Sequence, residues 1–273
     1  MRILLYANSP EKARLLLPWV QGLSRPFLTE VTVQVPREPS PGELAASEIF
    51  QQELVTTERL RFSAIHAEGE WPEEGIAQEC LKGDYNLAIL APAGRRGFIR
   101  LFYGSMVAKV VRKVSSSVMV VRAGVVPPRR ILTCVSGSRH SLANVRAAAQ
   151  FGVAFGAQVT ILMVLSQLPV EFSGAEAPQA REDFLNSDHP MAEHLRAARD
   201  LLRNLGAKGG VRVAEGLVVE EILEDMETFD HDLLILGTHR AEDYDPMYED
   251  LTSELVQRST RTMLVVGVRA DLL

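Results

Sequence analysis

The chain repeats itself, and that repeat limits its fold more than any other feature. RILLYANSPEKARLLL (2–17) matches RILTCVSGSRHSLANV (130–145), and AEGEWPEEGIAQECLKGDYNLAILAPAG (67–94) matches AEGLVVEEILEDMETFDHDLLILGTHR (214–240). SSSVMVVR (115–122) matches TRTMLVVGV (260–268), again in the same order. Offsets between the matches drift only as loop lengths would, so the sequence reads as two copies of one unit. The stretch AGVVPPRR (123–130) is the expected joint, because a Pro-Pro pair favours an extended connection that no helix crosses. Residues 1–124 and 129–273 are therefore expected as two domains, with 125–128 as linker.

Each copy alternates strand and helix. RILTCV (130–135), QVTILMVL (158–165), VRVAEG (211–216), HDLLILG (231–237) and TMLVVGV (262–268) are short apolar runs. Continuous apolar character is how strands buried on both faces read. RILLYA, EVTVQV, FSAIHA, NLAILA and SVMVVR are their counterparts in the first copy. Between the first two runs of copy two, Leu142, Val145, Ala149 and Val153 recur every three or four residues, which predicts a helix closed by Gly156. Pro18 predicts a kink or early stop in the matching helix of copy one. PREPSPGELAAS (36–47) and LPVEFSGAEAPQAREDF (168–184), rich in Pro, Glu and Ser, are expected as mobile surface loops. The predicted fold class is α/β: two tandem doubly wound domains, each a five-stranded parallel sheet flanked by helices.

Composition narrows the function. Twenty-nine Lys and Arg against 35 Asp and Glu give a net charge of −6, without the basic surplus of a general nucleic-acid binder. No apolar stretch approaches the roughly 18–20 residues needed to cross a bilayer, and the N-terminus lacks a cleavage pattern, so neither membrane nor secretion is expected. Cys80 and Cys134 fit no metal-ligand spacing and read as small buried residues in a reducing cytoplasm.

Against that acidic background, Tyr85 to Arg122 contains no Asp or Glu. Within it lies APAGRRGFIRLFYGS (91–105), the loop after the fourth strand, where doubly wound sheets bind ligands. Gly94 and Gly104 let backbone approach an anion, the Ser105 hydroxyl can donate to a phosphate oxygen, and Arg95, Arg96 and Arg100 add charge. Gly104–Ser105 opens a predicted helix, MVAKVVRKV (106–114), whose N-terminus favours an anion. The plainer alternative is a basic surface loop whose glycines only shape turns.

The second copy reverses this loop. GTHRAEDYDPMYEDL (237–251) keeps Gly237 but has Arg240 for the second glycine and crowds in Glu242, Asp243, Asp245, Glu249 and Asp250. Two like charges at ~4 Å repel by roughly 1–4 kcal/mol between water and a protein surface. Several should exclude a polyphosphate. DYDPMYED lacks the alternating ligands and sixth-position Gly of a calcium loop, so a solvated acidic loop is the expectation. His140 and His239 stand at strand ends without a paired nucleophile and acid, and surface or capping roles are expected of them.

Each half resembles a domain of the universal stress protein family. The nucleotide-binding subset of that family carries Gly, two residues, Gly, nine residues, then Gly-Ser or Gly-Thr. Here the pattern is Ala91, Gly94, nine residues, Gly104–Ser105, departing only at Ala91. ATP-binding members have an Asp at the end of strand one, where this chain has Asn8 in copy one and Ser136 in copy two. The resemblance implies an adenine nucleotide alpha-hydrolase-like fold. It also implies an adenine nucleotide site, ATP favoured and with or without Mg, at Asn8, Val35, Leu90, Ala91, Gly94, Arg95, Gly104, Ser105 and Met106. Val35 and Leu90 would lie against the adenine, although plain core packing also accounts for each. It further implies pairing of the two halves through their fifth strands, SVMVVR against TMLVVGV, and leaves room for a homodimer. A stress-response nucleotide binder without catalysis is the expected function, with a ligand-free interaction module and a slow ATPase as the alternatives.

Overall fold

The computed structural model describes residues 1–66, 72–91, 110, 114–122, 124, 126–137, 141–167, 177–237 and 246–267. They form two compact units, one of Met1–Pro127 with Thr238–Leu273, the other of Pro128–Gly237.

In the first unit the chain runs β1 (Arg2–Tyr6), α1 (Pro10–Ser24), β2 (Thr29–Val35), α2 (Pro41–Val55), β3 (Leu60–His66), α3 (Pro72–Lys82), β4 (Leu87–Leu90) and β5 (Ser117–Val120). These strands are parallel in the order β3-β2-β1-β4-β5. The order reverses between β1 and β4, which is where a doubly wound sheet opens a crevice. The predicted strands of copy one all form, with Ile3, Leu4, Leu5, Leu87, Ala88 and Ile89 wholly buried at the sheet centre. Trp19 and Phe50, also wholly buried, anchor α1 and α2.

Two expectations are corrected in part here. Pro18 does not stop α1, which runs through it to Ser24. Arg14 and Pro18 are both exposed, so the carbonyl that loses its donor, four residues back, faces water. PREPSPGELAAS is not all loop either, because α2 begins at Pro41. Ser40 accepts the Glu43 N–H at its hydroxyl while Glu43 accepts the Ser40 N–H, a reciprocal cap with Pro at the first helical position.

The last strand of the chain, β10 (Thr262–Val266), lies in this same unit, antiparallel to β5, with Met263 opposite Val120 and Val265 opposite Val118. Close backbone approach fixes Gly267 beside this pair: a Cβ there would overlap the carbonyl of Ser115, and its N–H donates to Ser117 Oγ at 3.1 Å. Arg122 donates to the carbonyls of Val256 at 2.6 Å and Arg261 at 3.1 Å, tying the end of β5 to the last turn of α8 (Pro246–Arg258).

The second unit runs β6 (Arg130–Cys134), α4 (Ser141–Phe155), β7 (Gln158–Leu165), α5 (Ala177–Asn186), α6 (Pro190–Asn204), β8 (Lys208–Glu215), α7 (Val218–Thr228) and β9 (Leu233–Gly237). Its strands are parallel in the order β9-β6-β7-β8. Gly156 closes α4 at φ +68° as expected. Val153 is 46% exposed and is not on the buried face, which Val145, Ala148, Ala149 and Gly152 supply instead. Part of the second expected loop is helical, since α5 takes up residues 177–186. The third strand begins at Lys208, three residues before its expected start.

One buried charge cluster stands out in this unit. Asp225 of α7 accepts from Arg212 Nη1 of β8 at 2.8 Å and contacts His231 Nε2 at 3.0 Å, and both Asp225 and His231 are almost fully buried. The Arg212 guanidinium also lies 3.3 Å over the Phe229 ring.

Candidate functional site

The carboxyl ends of β1, β2 and β4 come together in the first unit. Tyr6 pairs with Leu90 and Leu5 with Val33, so Val35, which ends β2, and Asn8 and Ala91, which follow β1 and β4, stand at nearly one level. Asn8 is half-buried, and the next residue, Ser9, caps α1 by accepting the Lys12 N–H at 3.3 Å. Val35, Leu90 and Ala91 are buried, at 6%, 1% and 3% exposure. The Leu90 carbonyl accepts the Val121 N–H at 2.8 Å, which holds the end of β4 against β5. Gly94, Arg95, Gly104, Ser105 and Met106 lie outside the described residues. Of the expected helix after them, Val110 and Val114 are buried, and the Val114 N–H donates to the Val110 carbonyl at 3.1 Å, one helical turn away.

The structure adds residues that sequence reading did not single out. Glu43, in the first turn of α2, accepts from Tyr6 Oη at 2.7 Å and from Ser40 Oγ at 2.8 Å. Gly42 packs directly on the end of β1, where a Cβ would stand 2.8 Å from the Asn8 carbonyl oxygen. The N-terminus of α2 is thereby seated beside Asn8. The capping signature SPGE (40–43) carries that signal in the sequence.

At the matching end of the second unit the surroundings differ. Gly237 survives there because Asn144 of α4 fills the space: a Cβ on Gly237 would stand 2.6 Å from Asn144 Oδ1. Asn144 Nδ2 donates to the Cys134 carbonyl at 3.2 Å, tying α4 to the end of β6. By the repeat, Asn144 stands where copy one has the buried Leu16. Ser141 Oγ lies 3.0 Å from His194 Nε2, and burial lowers the basicity of His194 below the usual range. His140, His239, Glu242, Asp243 and Asp245 lie outside the described residues; Glu249 and Asp250 fall within α8.

Both cysteines are poor nucleophiles for one physical reason, desolvation. Cys80 is pushed up to about 12 by burial, and Cys134 is raised by burial with the Asp225 charge adding to it. Cys134 is partly exposed as a residue, but burial at the thiol itself governs its ionisation. The native protein at pH 8 should therefore take up no alkylating reagent over minutes, and two equivalents once unfolded in denaturant. Mass spectrometry of intact protein reads the difference directly. Among the described residues no three His, Cys, Asp or Glu side chains are grouped to hold a metal ion, and no helix is long and apolar enough to cross a membrane.

A mostly parallel doubly wound sheet, built twice from repeated sequence and with its candidate ligand end at a strand-order reversal, defines the class. The sequence matches the universal stress protein family over residues 20–122 and 128–267, and the chain belongs to that family. A universal stress protein from Archaeoglobus fulgidus DSM 4304 superposes with a TM-score of 0.62 at 13% identity, covering 97% of this chain and 95% of its own. A protein of unknown function from Pseudomonas aeruginosa PAO1 gives a TM-score of 0.65 at 13% identity, over 99% and 95%. A universal stress protein solved in complex with cAMP aligns with 52% of this chain and 98% of its own, at 21% identity and a TM-score of 0.40. No curated protein matches the chain in sequence.

Proposed function

We propose that the N-terminal copy, residues 1–124, binds an adenine nucleotide, ATP ahead of the others. In this reading the C-terminal copy, residues 129–273, acts as a degenerate partner that completes a pseudo-dimer. The observation that carries the reading is the phosphate-type motif Ala91, Gly94, Gly104–Ser105 within a family member, directly after β4. Asn8, Val35, Leu90 and Ala91 support it because they end neighbouring parallel strands at the reversal of strand order. In the motif, Gly94 and Gly104 admit phosphate oxygens, Ser105 donates to them, and Arg95 neutralises charge. Met106 opens the helix expected over 106–114, whose N-terminus would favour the phosphate charge. Asn8 can donate and accept hydrogen bonds but has no carboxylate, so Mg enters only as the ion that a triphosphate carries with it.

The antiparallel β5–β10 ladder supports the pseudo-dimer part, since pairing the last strands of the two copies leaves neither as an open sheet edge. A homodimer of whole chains and a cytoplasmic setting belong to the same proposal. Isothermal titration of the full chain with ATP, ADP, AMP and GTP tests it. Adenine nucleotides should bind at one site per chain, and two equal sites would refute the asymmetry between copies. Absence of heat from every adenine nucleotide would favour the reading as a ligand-free interaction module, toward which the departures from the family pattern at Ala91 and Asn8 point.

A further inference from the structure

The interior of the first unit holds a polar side chain that packing alone does not explain. Gln34 is 2% exposed, and neither its Nε2 nor its Oε1 has a hydrogen-bond partner among the described residues. A buried carboxamide without partners is costly, and a leucine or methionine in its place would remove the cost. The strand around it is otherwise suited to a core: Val31, Val33 and Val35 alternate along β2 on the opposite face and are all buried.

Position gives the residue its meaning. Gln34 is the penultimate residue of β2, about 3.3 Å along the strand from the carboxyl edge where doubly wound sheets take ligands. Its own face is mixed, with Ile65 of β3 directly beside it and the buried Leu4 beside Thr32. The parallel register of Leu5 with Val33, continued by one residue, sets Gln34 beside Tyr6, whose hydroxyl donates to Glu43. Thr32, two residues earlier on that face, shares a hydrogen bond with Ser63 at 3.1 Å. Tyr6 and Thr32 each have a partner, so the uncompensated group in the row is the one nearest the ligand end.

We infer that Gln34 is a base-reading residue of the nucleotide site. Its carboxamide places an acceptor beside a donor, and adenine presents the complement, an amino donor beside a ring-nitrogen acceptor. Binding would supply both missing partners at once. The inference rests on the adenine-nucleotide reading above and extends it to a residue outside the phosphate motif. It sets the base on the face that Gln34 shares with Tyr6 and Leu90, and leaves the Val35 side chain, on the opposite face, to core packing.

Opposite effects on free and bound protein make the test specific. Gln34→Leu should leave the melting temperature of ligand-free protein equal or higher, because an unpaired buried amide is removed. The same change should weaken AMP binding at least tenfold while leaving ribose 5-phosphate, which has no base, unaffected in calorimetry. Gln34→Met, closer in shape, should behave alike and covers a failure of the leucine variant to fold. If the wild type binds AMP and both folded variants bind it equally well, the assignment of Gln34 is wrong and the adenine site stands. Equal weakening of AMP and ribose 5-phosphate would also overturn it, by showing a general distortion. If the wild type binds no adenine nucleotide, the functional reading fails and the base-reading role with it.

Discussion

Gly104→Val combined with Ser105→Ala should weaken adenine-nucleotide binding at least a hundredfold, about 2.7 kcal/mol, without unfolding the protein. On the proposed site the two changes would act on one phosphate group by different means. A valine at Gly104 puts branched bulk where backbone must approach an anion, and loss of the Ser105 hydroxyl removes a donor. Neither change touches the sheet centre formed by Ile3, Leu5, Leu87 and Ile89, so the far-ultraviolet spectrum and melting temperature should stay close to wild type. Titration calorimetry measures the loss. Unchanged affinity in the folded double variant would mean that the nucleotide does not use this loop. The paired control is Glu249→Ala with Asp250→Ala in the second copy, which should leave affinity unaltered. An equal loss there would remove the functional asymmetry between the copies.

The chemical difference between the copies is legible in the sequence as charge, and the structure adds packing. A loop that turns from three arginines to five acids is visible without coordinates. What the sequence left ambiguous was Gly237, which read as a surviving motif glycine. Asn144 explains it instead, because its amide fills the space a Cβ would need. The contact links residues 93 positions apart, and no local pattern announces it. The Ala91 departure has a similar cause within the first unit: its methyl is buried at the end of β4, as part of the core.

Strand positions were readable because apolar runs such as NLAIL and TMLVV have few other uses than a doubly buried strand. Helix errors were of another kind. Pro18 read as a kink or a stop because proline removes a hydrogen bond, and the stop does not occur because its exposed face lets water replace the lost donor. Residues 41–47 read as loop from their Pro and Glu content, although Ser40, Pro41 and Glu43 together form a helix start. Val153 fitted a regular spacing but falls outside the broad face set by Ala147, Ala148, Ala149 and Gly152. Gln34 and Asp225 were invisible for a deeper reason. A polar residue in an apolar run looks like the solvent side of a strand or helix until burial is known.

Asp225 should be the most sensitive single position for stability. Its carboxylate is 5% exposed and is shared between Arg212, at 33%, and His231, at 3%. Removing one member of such a buried cluster strands the others, at a cost of about 3–5 kcal/mol. Asp225→Ala should therefore lower the unfolding free energy of the C-terminal unit by that amount, read in urea titration as a lower midpoint at unchanged slope. The loss is from stranded polar groups and not from missing bulk, and a second variant separates the two. Replacing the cluster together, Arg212→Met with Asp225→Leu and His231→Phe, should recover most of the stability, because well-packed apolar groups carry no desolvation penalty. Arg212 is the weakest member of that argument. It is a third exposed and stacked on Phe229, so Arg212→Met alone should cost much less than Asp225→Ala. If the single Asp225 change proves mild, or the triple change proves as damaging as the single one, Asp225 is not the hub of the cluster. The order of the three midpoints, triple above single and Arg212→Met above Asp225→Ala, is the result that assigns it.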